Sequence, residues 1–239
     1  MGTVTWLEEE LAEFRLTDEG EGYLLGRGAK EQTIKELECL VWQPLATPSP
    51  DPVFQKRYGV RGESLTGCLV FPQRSPKGTL LGVEVRSMYE KWVGKYQLPA
   101  AAWNPIWIGM QRAMPRVWAG GDVWVVEGAF DLFPLEWGVP ETDAILASGR
   151  ARLSWSHVEY LRRYCKGWVY MVYDNDEAGQ QGMHGWTDKA GKWRQGALKS
   201  LERVKLRCMP IVYRGGKDPG EIWDAHGAEG IRKAFSRRI

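Results

Sequence analysis

The second half of the chain alternates short apolar runs with longer stretches whose apolar residues follow helical spacing. The apolar runs are VWVV from residue 123, AILA from 144, VYMV from 169 and CMPIV from 208. Runs of this length are typical of strands buried on both faces, and strands that alternate with helices pair in parallel. We therefore predict an α/β domain here, with a parallel sheet flanked by helices and ligands bound at the carboxyl ends of its strands.

The first half of the chain has a different pattern. Residues 1 to about 40 follow helical spacing, with a glycine-marked turn at Gly26-Arg27-Gly28, and the proline-rich residues 44–52 are predicted to be loop. The segments SLTGCLVFPQ and TLLGVEVRSM are predicted strands joined by a hairpin turn at SPKG, and AMPRVWAGG is expected to connect two lobes. The predicted bounds are 1–118 for a mixed α+β N-terminal lobe, 119–216 for the α/β domain, and 217–239 for a closing acidic motif and helix.

Composition places the chain among globular proteins that bury a core, since 44% of its 239 residues are hydrophobic. No apolar run approaches the roughly 18 residues needed to cross a bilayer, and the acidic N-terminus is unlike a secretory signal, so no membrane association is expected. The four cysteines are isolated, which argues against a zinc site and indicates reduced thiols in a cytoplasmic protein. The net charge is only +2, so any nucleic-acid-binding surface must be local.

Carboxylates follow the apolar runs at the points where the predicted strands end. Glu127 and Asp131 follow the first run, Asp174 and Asp176 follow the third, and Asp218 follows the last. The carboxyl ends of parallel strands meet at one edge of a sheet, and hard divalent cations prefer carboxylate oxygens. Taken alone, each motif is also compatible with an Asx turn, a helix cap or an ordinary strand-to-helix turn. Because three motifs fall at one edge, we predict a site for Mg²⁺ (or Mn²⁺) and phosphate there.

These motifs resemble the signature of the TOPRIM domain, which is shared by bacterial-type primases, topoisomerases and some nucleases and repair proteins. That signature is a Glu-Gly after the first strand and an Asp-x-Asp after the third, matched by Glu127-Gly128 and Asp174-Asn175-Asp176. Asp131 and Ala178-Gly179 match the forms found in primases, and Lys217-Asp218-Pro219 is similar to the third acidic motif of the DnaG-type primases. The resemblance implies that the α/β domain is a TOPRIM domain.

The resemblance to DnaG-type primases extends upstream and covers roughly residues 20–225. The segments YLLGRGAKEQTI, LTGCLVFPQRSPKGTLLGVEVRSM and GKYQLP occur in the order of similar segments in that family. Neither a zinc-binding template-reading domain nor a helicase-binding domain is recognisable in the sequence. The last acidic motif departs from the family, since it has Gly220 where those primases have an acidic residue, and Glu221 is a candidate replacement.

The resemblance also implies roles for individual residues. Glu127, Asp174 and Asp176 would be catalytic, with Glu127 either a metal ligand or the proton-transfer group. The implied metal ligands are Glu127, Asp131, Asp174, Asp176 and Asp218. Phosphates of the nucleotide would be bound by Arg86, Lys95 and Lys217. Template or nucleotide contacts are implied for Arg27 and Tyr96, and stacking on template bases is expected of Trp103 and Trp107.

The implied function is that of a DNA primase core, which makes short RNA primers on single-stranded DNA by two-metal nucleotidyl transfer. Two alternatives stay open: a TOPRIM nuclease that cuts phosphodiesters with the same carboxylates, and a non-catalytic module that binds single-stranded DNA or a helicase. The expected partners are the template strand, nucleoside triphosphates, and a replicative helicase or separate template-recognition protein. The small size suggests a replication protein of a phage or other mobile element.

An insertion, GMHGWTDKAGKWRQ, follows the second acidic motif and precedes the next helix. It carries His184, Lys189, Lys192 and Arg194 beside the predicted active edge. Its basic residues are compatible with a contact to nucleic acid and equally with a solvated loop.

Overall fold

The computed structural model describes residues 5–88, 96–98 and 107–235. The chain divides into two compact units, one formed by residues 1–26 with 30–104 and the other by residues 27–29 with 105–239. The sequence led us to expect a boundary at residue 118. The structural boundary falls earlier because the residues from Trp107 to Val117 contribute to the core of the second unit.

The first unit contains a four-stranded antiparallel sheet, in the order β1-β2-β3-β4, and short helices. Its elements in chain order are α1 (Thr5–Leu11), α2 (Asp18–Gly26), α3 (Glu31–Glu36), β1 (Leu40–Val41), α4 (Pro52–Tyr58), β2 (Leu69–Arg74), β3 (Leu80–Arg86) and β4 (Tyr96–Leu98). The predicted hairpin is present between β2 and β3. The Ser75 hydroxyl oxygen accepts hydrogen bonds from the backbone N–H groups of Lys77 and Thr79, which closes its turn.

Helix α4 was not expected from the sequence. It begins at Pro52, the last proline of the predicted loop, and proline suits a first helical turn because its missing N–H has no intrahelical partner there. Phe54 and Tyr58 lie one turn apart on this helix and pack into a core around the fully buried Trp42. Burial of this aromatic pair therefore fixes α4 against the sheet.

The second unit contains a four-stranded parallel sheet in the order β10-β7-β5-β6, flanked by helices. Its elements in chain order are α5 (Met110–Trp118), β5 (Val123–Val126), α6 (Leu132–Leu135), β6 (Ala144–Ala147), α7 (Trp155–Tyr164), β7 (Val169–Val172), α8 (Glu177–His184), β8 (Gly185–Thr187), β9 (Trp193–Gln195), α9 (Ala197–Arg203), β10 (Cys208–Pro210) and α10 (Pro219–Phe235). The predicted fold class, a parallel sheet flanked by helices after a mixed α+β lobe, is confirmed.

The first three apolar runs form the most deeply buried strands of this sheet. Every residue of β5, β6 and β7 is buried. Alternate residues such as Val125, Leu146 and Met171 belong to a core shared with α5, α7, α8 and α9. Burying each such side chain stabilises the fold by roughly 1.5–3 kcal/mol, which explains why the runs contain no charged residue.

The segment expected to connect the two lobes is helix α5. Its residues Met110, Ala113, Met114 and Val117 follow helical spacing and are buried in the core of the second unit. Pro115 and the glycines after Trp118 are typical of loops and concealed this spacing. The connecting role predicted for the segment is therefore wrong.

The insertion after the second acidic motif forms an antiparallel hairpin, β8–β9, between α8 and α9. None of the helices in the described ranges combines the length and the apolar character needed to cross a membrane.

Candidate active site

The pairing of β5 with β7 sets the position of the acidic motifs. Val126 and Val172 are partners at the ends of these parallel strands. Glu127 directly follows Val126, and Asp174 lies two residues beyond Val172. The first two acidic motifs therefore leave the sheet at the same level, on neighbouring strands.

The first motif continues into a short 3₁₀ turn, Ala129–Asp131. Asp131 is only 8% exposed, and its Oδ2 accepts a hydrogen bond from the N–H of Gly128 at 3.1 Å. This bond folds the chain back at the end of β5. Asp131 is thereby held beside Glu127, on the same turn.

In the second motif, Asp176 caps helix α8. Its Oδ1 accepts a hydrogen bond from the N–H of Gly179 at 2.8 Å, and this bond is the largest cause of the lowered pKa of Asp176. Gly179 is required for the same turn, because a Cβ atom at this position would overlap the carbonyl oxygen of Asp174. The Ala-Gly pair after the aspartates thus allows the backbone of α8 to close onto the end of β7.

Lys217 brings an ammonium group to the two aspartates. Its Nζ lies 3.0 Å from Asp176 Oδ2 and 3.7 Å from Asp174 Oδ2, and the bond to Asp176 raises the pKa of Lys217. The backbone of Lys217 is fixed as well, since its carbonyl oxygen accepts the N–H of Asn175 at 2.7 Å. The last loop of the unit is therefore tied to the end of β7.

The carboxyl group of Asp174 has a raised pKa in this cluster. Burial, followed by the negative charges of Asp131, Glu127 and Asp218, raises the pKa of Asp174 from 3.8 to about 7, against the opposing effect of Lys217. Like charges and a low local dielectric both favour the neutral carboxyl. The raised pKa therefore indicates that the carboxylates of the three acidic motifs act on one another at one edge of the sheet.

Gly220 lies against Arg27 at the position where the resembling primases have an acidic residue. A Cβ atom added at Gly220 would stand 2.5 Å from Arg27 Nη2 and 3.1 Å from Asp218 Oδ1. Arg27 Nη1 pairs with Asp224 Oδ2 at 3.0 Å, and its Cζ lies 5.7 Å from the ring centre of Phe130. Arg27 thus brings a positive charge into the space that a side chain at position 220 would need.

Glu221, the candidate replacement for the missing carboxylate, stabilises a turn instead. Its Oε2 accepts the N–H of Lys217 at 2.8 Å, and its own N–H donates to Asp218 Oδ1 at 2.8 Å. These two bonds close the loop that carries Lys217 and Asp218.

The donor set fits a divalent cation. A bound positive ion stabilises carboxylates that are buried together and repel one another. Mg²⁺ usually coordinates only one or two protein carboxylates, and water and phosphate oxygens fill its other positions. Among the described residues, no three acidic, histidine or cysteine side chains already converge as a metal cage. Asp174 and Asp176 are the residues best placed to hold a cation, provided that Lys217 turns away from them.

Trp107 cannot serve as a stacking platform. Its ring is fully buried in the core of the second unit, with its centre 4.5 Å from that of the His157 ring. The prediction that Trp107 stacks on template bases is therefore wrong, because neither face of the indole reaches solvent. Trp107 precedes α5 and belongs to the same core as the buried residues of that helix, which was not predicted from the sequence.

The remaining predicted contacts to nucleotide or template lie in the first unit. Arg86 ends strand β3, with its Nη1 3.8 Å from Glu84 Oε1. Tyr96 belongs to β4, of which only the backbone is described. Lys95 and Trp103 lie outside the described residues. The roles implied for these four residues stay predictions.

Tyr213 is a site residue that sequence reasoning missed. Its buried hydroxyl lies 3.0 Å from the carbonyl oxygen of Tyr173 and 2.9 Å from that of Lys217, so it bridges the second and third acidic motifs. The available signal was its place just after the last strand of the parallel sheet. An aromatic residue there gave no indication of acidic or phosphate chemistry.

Known proteins share this domain. A family model described as Toprim-like matches residues 124–222, from β5 to the start of α10. Residues 124–222 of the second unit are therefore similar to Toprim-like domains, in the stretch where the resemblance implied one. A curated DNA primase from Aquifex aeolicus (strain VF5) is 24% identical over 173 residues, which is 70% of this chain. The chain spans 32% of that protein's length.

Solved structures extend the likeness to both units. The crystal structure of the Aquifex aeolicus primase, with its zinc-binding and RNA polymerase domains, has a TM-score of 0.69 at 20% identity, covering 95% of this chain and 59% of that chain. A DnaG primase catalytic domain bound to ssDNA has a TM-score of 0.64 at 17% identity, covering 97% and 80%. The chain thus has the fold of the DnaG-type primase catalytic cores, and the resemblance stated from the sequence is confirmed.

The raised pKa of Asp174 predicts a pH-dependent loss of stability without metal. Between about pH 4 and pH 7 the folded state binds more protons than the unfolded state, so the free energy of unfolding falls as the pH rises through this window. Asp174→Asn should abolish that slope and be more stable than wild type at pH 8 by on the order of 1–4 kcal/mol. Urea unfolding in EDTA from pH 4 to pH 8 measures both curves.

The matched control for this comparison is Glu229→Gln, which neutralises an exposed carboxylate of α10. Its curve should run parallel to that of wild type. Parallel curves for Asp174→Asn and wild type would contradict the electrostatic account of the site.

Gly179→Ala should destabilise the domain by about 1–3 kcal/mol, because the added methyl group overlaps the backbone of Asp174. Gly22→Ala is the matched control, since nothing lies within 4 Å of a Cβ added there and α2 gains helix propensity of about 0.5–1 kcal/mol. Urea denaturation of both variants gives the comparison. Equal stability of the two would show that α8 does not need close contact with the end of β7.

Proposed function

We propose that this chain is the catalytic core of a DNA primase, a nucleotidyltransferase that makes short RNA primers on single-stranded DNA. The observation that carries the proposal is the convergence of three acidic motifs at the carboxyl edge of the parallel sheet, with Lys217 between Asp174 and Asp176. At this edge, carboxylates that can bind divalent cations lie next to a lysine that can bind phosphate. Transfer of a nucleotide from a triphosphate requires both kinds of group.

In the proposed reaction, the 3′-hydroxyl oxygen of one nucleotide attacks the α-phosphorus of an incoming nucleoside triphosphate. A phosphodiester bond forms, the bond to the β-phosphate bridging oxygen breaks, and pyrophosphate leaves. The proton of the attacking hydroxyl passes to a carboxylate, for which Glu127 at the end of β5 is our candidate. Bound Mg²⁺ or Mn²⁺ would neutralise the developing charge and lower the pKa of the attacking hydroxyl, the division of labour found in two-metal polymerases.

The residues of this chain prepare that step in three ways. Asp174 and Asp176 would hold the metal, with Asp131 and Asp218 completing the acidic surroundings. Lys217 would exchange its carboxylate partners for the phosphates of the nucleotide, as a mobile point charge. Arg27, fixed by Asp224 beside Gly220, supplies a second positive charge near Asp218 and is our candidate for a contact to nucleotide or template.

A DNA strand is the proposed template, and nucleoside triphosphates are the proposed substrates. The fold shared with a DnaG catalytic domain that was bound to ssDNA supports the first of these ligands. Arg86 remains our candidate for phosphate binding. A helicase or separate template-recognition protein stays an expected partner from the sequence.

The test is primer synthesis on mixed-sequence single-stranded DNA with labelled NTPs and Mg²⁺ or Mn²⁺. Wild type should make short RNAs, and Asp174→Ala/Asp176→Ala should lose them by about 100-fold or more, since it removes the charge that holds the metal. Glu19→Ala/Glu229→Ala is the matched control, because it removes two exposed carboxylates from helices outside the site. That control should retain activity.

Other outcomes separate the alternatives. Degradation of the DNA by wild type, lost in the double aspartate variant, would identify a nuclease. DNA binding with neither synthesis nor cleavage would identify a non-catalytic module. Equal synthesis by the double aspartate variant and its control would overturn the assignment of the site itself.

A further inference from the structure

The β8–β9 hairpin, which arises from the insertion, is a built structure and not a loose loop. Asp188 closes its turn: Oδ1 accepts the N–H groups of Ala190 and Lys192, both at 3.0 Å, and Oδ2 accepts from Arg194 Nε at 2.7 Å. Gly191 has a φ of +75°, which suits the tight turn and disfavours any other residue there. The sequence therefore specifies one hairpin conformation.

The hairpin is also fixed against the loop that precedes α7. A Cβ atom at Gly182 would overlap the carbonyl oxygen of Ala151, so α8 and this loop approach as closely as backbones can. The approach brings the neighbouring Arg152 over Trp186 of β8, with its Cζ 3.7 Å from the ring centre. The two side chains form a cation–π stack at the surface of the second unit.

A cleft of about 740 Å³ lies along this stack. Its lining residues are Arg152, Gln181, Trp186, Thr187, Asp188, Lys189 and Arg194. Three of them are cations, and the one anion, Asp188, is already bound by Arg194 and by the hairpin turn. The cleft therefore carries an excess of positive charge beside a flat aromatic surface.

We propose that this cleft binds single-stranded DNA at a site separate from the catalytic edge. Arg152 is exposed, so the guanidinium face that is turned away from Trp186 can take a base, while Lys189 and Arg194 contact phosphates. Arginine planes and aromatic rings stack on any unpaired base, whereas the bases of a duplex are already stacked. An acidic polypeptide would satisfy the cations and leave the stack without a role.

The position of the cleft gives this site a purpose within the proposed function, on which the inference rests. Asp176 is the N-cap of helix α8, and the last residue of α8, His184, adjoins Gly185 of the hairpin. Eight helical residues span about 12 Å. A strand held by the hairpin is therefore close to the carboxylates but does not touch them, as a template waiting to be copied would be.

The test is binding of a fluorescent mixed-sequence single-stranded oligonucleotide, followed by anisotropy in EDTA so that catalysis plays no part. Arg152→Ala/Lys189→Ala/Arg194→Ala should weaken binding at least about tenfold, since it removes one base stack and two phosphate contacts. The two lost phosphate contacts should reduce the salt slope by about 1.4 on a single strand. Lys166→Ala/Lys205→Ala/Lys233→Ala removes the same charge from exposed positions outside the hairpin and should stay within about threefold of wild type.

Two further measurements isolate the stack and protect against a folding artefact. Arg152→Lys keeps the charge and loses the planar guanidinium, so it should weaken binding about three- to tenfold. In wild type, DNA should slow hydrogen exchange of the amides in 185–195. This readout needs no variant, so a misfolded hairpin cannot mimic it.

The inference is overturned if the hairpin triple variant binds like the lysine triple variant, or if exchange in 185–195 is unchanged by DNA. It is also overturned if polyglutamate or a blunt duplex competes as well as single-stranded DNA. Primer synthesis by wild type, measured in parallel, tests the proposed function separately: normal binding without synthesis would leave the hairpin site intact and remove its proposed purpose.

Discussion

The level at which β5 and β7 end is the constraint on which the site depends. The two strands are neighbours in the sheet, and their last residues, Val126 and Val172, are partners. Since every residue of both strands is buried, their register is strongly specified by the core. The carboxylates that follow must therefore emerge side by side, however strongly they repel one another.

That repulsion would oppose folding if the chain did not offset it with its own positive groups. The N-terminal turn of α8 donates to Asp176, and Lys217 pairs with both aspartates. These are also the groups that a triphosphate and its metal ion would engage in the proposed reaction. A single exchange, in which Lys217 moves from carboxylate to phosphate while a metal ion takes its place, would keep the local charge nearly balanced. In the proposed reaction, metal and triphosphate would therefore replace the ion pairs of the free protein without a large electrostatic cost.

The local sequence pattern was sufficient to predict the elements whose position is determined by burial and chain order. The apolar runs of β5, β6 and β7 and the carboxylates after them were predicted because adjacent parallel strands leave little choice of edge. Pattern was insufficient where the partner is distant in sequence. Arg27 contacts Gly220 although most of the chain separates the two residues. No residue spacing in either segment predicts this contact. The prediction for Trp107 was wrong for a related reason. An aromatic residue shortly before an unrecognised helix gives no indication in the sequence of whether its ring is buried or exposed.

The hairpin adds a surface to the second unit without disturbing the geometry of the acidic edge. Two glycines make the insertion possible: a Cβ atom at Gly196 would overlap the N–H nitrogen of Gly185, so the two ends of the hairpin meet almost backbone to backbone. Because the ends are this close, α8 and α9 can pack against each other as if the intervening residues were absent. Asp176 at the far end of α8 keeps its cap on Gly179. New side chains such as Trp186 are thereby added to the domain while the carboxylates stay where β5 and β7 put them.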